Sequence, residues 1–117
     1  MSDDRSYSIR VPADPAKALS VRVFVAEAAR QLGLDDAEVE DLRLLATELL
    51  GNAAETGGSS LELSLDAAGG RWRLDARGVG PLEPPPGGLI DRRAVLTGLA
   101  RLTSSEGSLS LSPLDPD

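Results

Sequence analysis

The sequence predicts a two-layer α/β sandwich in which a four-stranded, mainly antiparallel sheet is covered on one face by three helices. Three observations carry that expectation. Apolar residues recur at spacings of three and four in two long segments, and they alternate with polar residues in four shorter ones. The order of segments is strand, helix, helix, strand, strand, helix, strand, with the third helix filling the gap before the last strand. One-sided strands need a cover and amphipathic helices need a surface, so stacking one layer on the other buries both. With 117 residues the chain is expected to form a single domain, 1–117. Only Tyr7, Phe24 and Trp72 are aromatic, so Leu, Val and Ala must fill the core.

The first strand is "SYSIRV", where Tyr7, Ile9 and Val11 alternate with polar neighbours. Asp14 before Pro15 then reads as an N-cap with proline at the first helical position. Val21, Val25, Ala29 and Leu32 follow on one face until Gly33 stops the helix. Asp35 with Glu38 has the form of a capping box, and Val39, Leu42, Ala46, Leu49 and Ala53 continue the second helix to "TGGSS". The alternation in "SLELSLD" (Leu61, Leu63, Leu65) and "RWRLDAR" (Trp72, Leu74, Ala76), around the turn "AAGG", predicts a hairpin with one wet face. In that register Trp72 is a core residue and not a stacking platform. Gly78 to Gly88, rich in glycine and proline, is irregular and is either a functional lid or a mobile linker. A third helix is expected over Arg92 to Thr103. The closing strand is "SLSLS" with Leu109 and Leu111, and "PLDPD" reads as a frayed acidic tail.

Composition narrows the chemistry. With 19 acidic residues against 12 basic ones the formal net charge is -7, a field that opposes polyanions and argues against a nucleic-acid partner. The chain has neither cysteine nor histidine, which excludes disulfides, thiolate chemistry and the commonest metal ligands. Any catalysis must use carboxylates, arginine, Lys17 or hydroxyls. No apolar run approaches the ~18 residues of a membrane span, so the expectation is a cytoplasmic protein without a membrane partner.

Within the second helix, "ATELLGNAAETG" places Glu48 and Asn52 one turn apart, and Glu55 extends the stripe by another. Such a stripe is either a solvated edge of the core face or a piece of chemistry. The box Glu48, Leu49, Leu50, Gly51, Asn52, Ala53, taken with the order of elements, resembles the histidine-kinase-like ATPase fold of Bergerat type. The resemblance covers nearly the whole chain and is nearest to the small anti-sigma-factor serine kinases of bacterial partner switching. It implies that Asn52 helps hold magnesium on nucleotide phosphates, and that Glu48 acts as the base for a partner's serine hydroxyl. Both roles are chemically sound: a carboxamide oxygen suits magnesium, and a carboxylate accepts a hydroxyl proton.

Elsewhere the sequence departs from the family. Its glycine box, D-x-G-x-G, falls on "GVGPL", which puts Gly78 at the adenine-binding carboxylate, Gly80 at the first glycine and Leu82 at the last. A register shifted by three, "DARGVG", would use Asp75 but must take it out of an alternating strand. The family's second box falls on "DRRAVLTGLARL", with Asp91 and Arg93 at glycine positions and Arg92 between them; "GGLI", with Gly87 and Gly88, is the alternative. Losing a hydrogen bond to a charged group costs about 1.5–3 kcal/mol, roughly a ten- to hundredfold loss of affinity, which phosphate pairing by Arg92 and Arg93 would partly offset. The expectation is therefore an anti-sigma-factor-like regulator that works by protein binding, with nucleotide binding weakened or lost. The alternative is an active ATP-dependent serine kinase of the same fold. In the first case no cofactor is expected. In the second, Mg-ATP sits on Asn52, Gly78, Gly80, Arg92 and Arg93, with Asn52 on the metal and Glu48 as base. The resemblance further implies a sigma factor or its antagonist as partner and allows a homodimer. Those contacts would involve the first strand and the first helix, whose outward residues include Arg22, Glu27 and Arg30.

Overall fold

The computed structural model describes residues 5–82, 92–105 and 107–114. Strand β1 (Ser6–Pro12) leads through a single 3-10 turn, Pro15–Lys17, into α1 (Ala18–Gln31) and α2 (Asp36–Glu55). The hairpin β2 (Ser60–Ala68) and β3 (Arg71–Arg77) follows, then α3 (Arg92–Leu99), β4 (Ala100–Ser105) and β5 (Ser108–Pro113). The strands form one sheet in the order β1-β2-β3-β5-β4, with every neighbouring pair antiparallel.

The caps act as the side chains predict. The Asp35 carboxylate accepts from the Glu38 amide at 2.8 Å, while Glu38 accepts from the Asp35 amide at 3.1 Å, closing the box that starts α2. Asp14 accepts from the Ala16 amide at 2.9 Å, but it caps the 3-10 turn, and the α-helix begins only at Ala18. Val21, Val25 and Ala29 of α1, with Val39, Leu42, Ala46, Leu49 and Ala53 of α2, are buried against Leu61, Leu63, Leu65, Trp72, Leu74 and Ala76. Fully burying each Leu or Val side chain is worth about 1.5–3 kcal/mol, so this shared seam is the main force holding the layers together. On the other face of the sheet stand Glu62, Ser64, Arg73, Asp75 and Arg77, which are half-buried or exposed.

Two expectations need correction. The sheet has five strands rather than four, and the third helix ends at Leu99 rather than Thr103. Residues 100–105 form β4 because Leu102 finds Leu111 across the ladder and Thr103 finds Ser110. The ladder runs to the pairing of Ser105 with Ser108, and Gly107 has φ 73°. A helix continued to Thr103 would leave the outer edge of β5 without a ladder, and a run of Thr103, Ser104 and Ser105 suits a strand better than a helix. Of the segment from Gly78 to Gly88 only Gly78 to Leu82 is described. Gly87, Gly88 and Asp91 lie outside the described residues, so the lid and the "GGLI" alternative fall there too. No helix among the described residues is long and apolar enough to cross a membrane.

Candidate functional site

The C-terminal half of α2 carries Glu48, Gly51, Asn52 and Glu55 along one side, at positions i, i+3, i+4 and i+7. Among the described residues Asn52 is the one buried polar side chain, 5% exposed. Its amide nitrogen faces the loop that follows β3. It donates to the carbonyls of Val79 at 2.8 Å and Pro81 at 3.0 Å, with that of Gly80 at 3.5 Å. Only a donor is stable among three carbonyl oxygens, which settles which end of the carboxamide meets the loop. Thr56, one turn further along, adds its hydroxyl, 2.8 Å from the Asn52 carbonyl and 3.2 Å from that of Val79.

Two glycines make this approach possible. Gly78 has φ 86°, and a Cβ there would fall 2.2 Å from the Ser60 carbonyl oxygen. Gly80 has φ 82°, and its Cβ would fall 2.2 Å from the Thr56 hydroxyl. Left-handed backbone and lack of space act together, so neither position accepts another residue without displacing the loop from α2 and β2. Val79 and Leu82 then turn inward, 3% and 4% exposed, and anchor the loop in the core.

Glu48 meets a different partner. The Nε of Arg92 donates to its Oε2 at 2.8 Å, and Nη1 of the same guanidinium reaches Glu55 Oε2 at 2.5 Å. Between these carboxylates lies Gly51, where an added Cβ would stand 2.6 Å from Arg92 Nη2. The guanidinium therefore occupies the space over Gly51 that a side chain would fill, bonded to an acid on either side. Its pKa is raised: burial works to lower it, but the hydrogen bonds and charges of Glu55 and Glu48 more than compensate.

Arg93, the next residue, faces elsewhere. It lines a cleft of about 340 Å³ together with Gly78, Gly80, Ser104, Ser108 and Leu109. The candidate residues thus fall into two groups. Glu48, Asn52 and Arg92 sit on or against α2, whereas Gly78, Gly80 and Arg93 border the cleft, and neither Glu48 nor Asn52 lines it. Asp75 stays within β3, opposite Ser64 and Ser110 on the outer face, where it accepts from Arg73 Nε at 3.2 Å. That placement removes it from the register in which it would serve the cleft. Among the described residues no three acidic side chains converge to hold a metal ion.

Sequence reasoning did not anticipate Gly51 and Glu55 as parts of an arginine clamp, nor Thr56 as part of the loop tether. The E-x-x-G-x-x-x-E spacing from Glu48 to Glu55 was the available signal for the clamp. Ser104 lies just past the helix expected over Arg92 to Thr103, and only its place in β4 brings it to the cleft.

No family model matches the chain, and no curated protein matches it significantly. Among solved structures it is similar to the crystal structure of the RsbU and RsbW domains of Rv1364c from Mycobacterium tuberculosis. The TM-score is 0.63 and the identity 21%, over 93% of this chain and 31% of that one. The chain therefore spans about a third of the length of the structure it resembles. At this identity the likeness shows the fold alone: an α/β domain with one antiparallel sheet, here of five strands.

Proposed function

We propose that this chain is an anti-sigma-factor-like regulatory protein that binds protein partners in a bacterial partner-switching pathway, with nucleotide binding weakened or lost. The observation that carries this reading is the commitment of Glu48 and Asn52 to internal partners. A base for a serine hydroxyl needs an open carboxylate, and the Glu48 Oε2 is held by Arg92. A magnesium ligand on this helix needs a carboxamide oxygen open to the phosphates, and the Asn52 side chain is buried, with its nitrogen tied to the loop. The donor set around a base is also a poor fit to adenine. Gly78 brings no carboxylate to its amino group, and Leu82 fills the last glycine position with a buried side chain. Each lost hydrogen bond of that kind weakens affinity by roughly ten- to a hundredfold.

Partner switching is supported by the shared fold with the RsbU and RsbW domains. The partner is a sigma factor or its phosphorylatable antagonist, met by β1 and α1. Leu19 and Val23 of α1 are 68% and 55% exposed beside Arg22, Glu27 and Arg30, a mixed apolar and charged surface suited to a protein rather than to a polyanion. A homodimer is compatible with the same surface. The second reading, an active ATP-dependent serine kinase, is favoured by the cleft beside Gly78, Gly80 and Arg93 and by the retained one-turn spacing of Glu48 and Asn52. Calorimetric titration with Mg-ATP separates the two. We expect no measurable heat up to about millimolar nucleotide. Micromolar binding that disappears in Asn52→Ala would reject the regulator in favour of the kinase. Affinity capture that recovers neither a sigma factor nor such an antagonist would count against partner switching.

A further inference from the structure

We propose that the Glu48–Gly51–Glu55 face of α2 is a guanidinium-binding site, occupied in cis by Arg92 and open in trans to an arginine carried by a protein partner. The regulatory reading above enters only in naming the trans occupant as a protein.

The site has the shape of its ligand. A guanidinium is planar, with donors on different edges, and here Nε serves Glu48 at 2.8 Å while Nη1 serves Glu55 at 2.5 Å. A lysine ammonium, as a point charge, lacks the two fixed donors on separate edges that serve the two carboxylates here. Gly51 completes the receptor. It is helical and has no left-handed φ, so backbone freedom does not explain a glycine in mid-helix. Its missing side chain does, because a Cβ would meet the guanidinium at 2.6 Å.

The occupant is exchangeable by construction. Arg92 begins α3, a helix of eight residues in which only Leu96 is buried, so little packing fixes the arginine to its place. Glu55 is 64% exposed at the outer lip, which gives a second guanidinium a path of entry. Two carboxylates for one cation leave the occupied site negative, and the chain as a whole carries -7, a field that draws a basic segment toward it. Arg92 competes from within the same chain at an effective concentration on the order of millimolar. A free arginine analogue therefore displaces it only at excess well above millimolar, whereas an arginine carried on a larger interface does so at lower concentration, which couples partner binding to release of α3 from α2.

The test uses the full chain and N-acetyl-arginine amide as probe, with N-acetyl-lysine amide as control. In Arg92→Ala the backbone amide resonances of Glu48, Gly51 and Glu55 should shift saturably with a Kd on the order of 1–10 mM, at least tenfold tighter than in the wild type. The response should vanish when Glu48→Gln and Glu55→Gln are added. Arg92→Gln, which keeps much of the aliphatic stem, serves the same titration if the alanine variant does not fold. The wild type gives an independent readout that needs no variant: excess probe should move the Arg92 Nε–H resonance to its solvent-exposed position, and the lysine analogue should not. An equal response to both analogues, persistence after loss of both carboxylates, or a wild-type Nε–H signal that excess probe leaves unmoved would overturn the proposal. Because neither nucleotide nor protein partner is present, such a failure removes this site and leaves the regulatory reading to the ATP titration.

Discussion

Replacing Asn52 with alanine should destabilise the protein in the complete absence of nucleotide. The substitution removes the hydrogen bonds to the Val79 and Pro81 carbonyls, at 2.8 and 3.0 Å, from a side chain that is 5% exposed. Each bond is worth about 1 kcal/mol net, and a buried carbonyl left without a donor adds about 1–3 kcal/mol. Thr56 still reaches the Val79 oxygen, so the expected total is about 2–4 kcal/mol, a large part of the ~5–15 kcal/mol that stabilises a domain. For a chain of this length that lowers Tm by about 10 °C. Urea unfolding of the nucleotide-free protein measures it directly. Asn52→Asp sharpens the test, because it turns a donor into a charged acceptor pointed at three carbonyl oxygens and should cost more than alanine at neutral pH. Its folded-state pKa would be raised, since only the protonated acid donates. The penalty is therefore present above that pKa and relieved as pH falls through it. A side chain kept only to ligate magnesium would tolerate both changes in the apo protein. A loss below about 0.5 kcal/mol for Asn52→Ala, or an aspartate variant as stable as the alanine one, would refute the tether.

The remaining predictions concern the loop and the clamp. Gly78→Ala and Gly80→Ala should both be strongly destabilising, because the Gly78 Cβ would meet the Ser60 carbonyl oxygen at 2.2 Å, and that of Gly80 would meet the Thr56 hydroxyl at 2.2 Å and the Thr56 Cβ at 2.8 Å, which side-chain rotation cannot relieve. Both should exceed Gly33→Ala, which shares a positive φ but faces open space and should lose only about 1 kcal/mol; thermal unfolding of the three variants ranks them. Arg92→Ala should cost about 1 kcal/mol or less, since Glu55 is largely exposed and solvent screens that half of the pair. Because the Arg92 pKa is raised, its contribution is complete below the ordinary arginine range and is lost only as pH rises through the folded value. The difference between wild type and Arg92→Ala should accordingly stay flat over about pH 6–9 in urea titrations.

Signals that live within a few residues were legible beforehand. The inward positions of α1 and α2, the Asp35–Glu38 box and the alternation of β2 and β3 all depend on helical or strand period, which neighbouring side chains declare by themselves. The third helix and β4 were not separable that way. "ARLTSS" carries one strong apolar residue, Leu102, and its strand character comes from Leu111 on the neighbouring strand. A cross-strand partner leaves no mark on the local period.

The site divides along the same line. That Glu48 and Asn52 share one side of α2 followed from the 3.6-residue turn alone, and so did the presence of Glu55 on that stripe. What those side chains do was decided by groups far along the chain: the Val79 carbonyl 27 residues from Asn52, and the Arg92 guanidinium 44 residues from Glu48. Sequence spacing determines direction on a helix, because the backbone repeats. Hydrogen-bond partners are set by which distant segments the core brings within 3 Å, and that depends on the packing of the whole sheet beneath. The chain by itself therefore announced a carboxylate and a carboxamide in reach of each other, and only the folded molecule determined that one is held by an arginine and the other holds a loop.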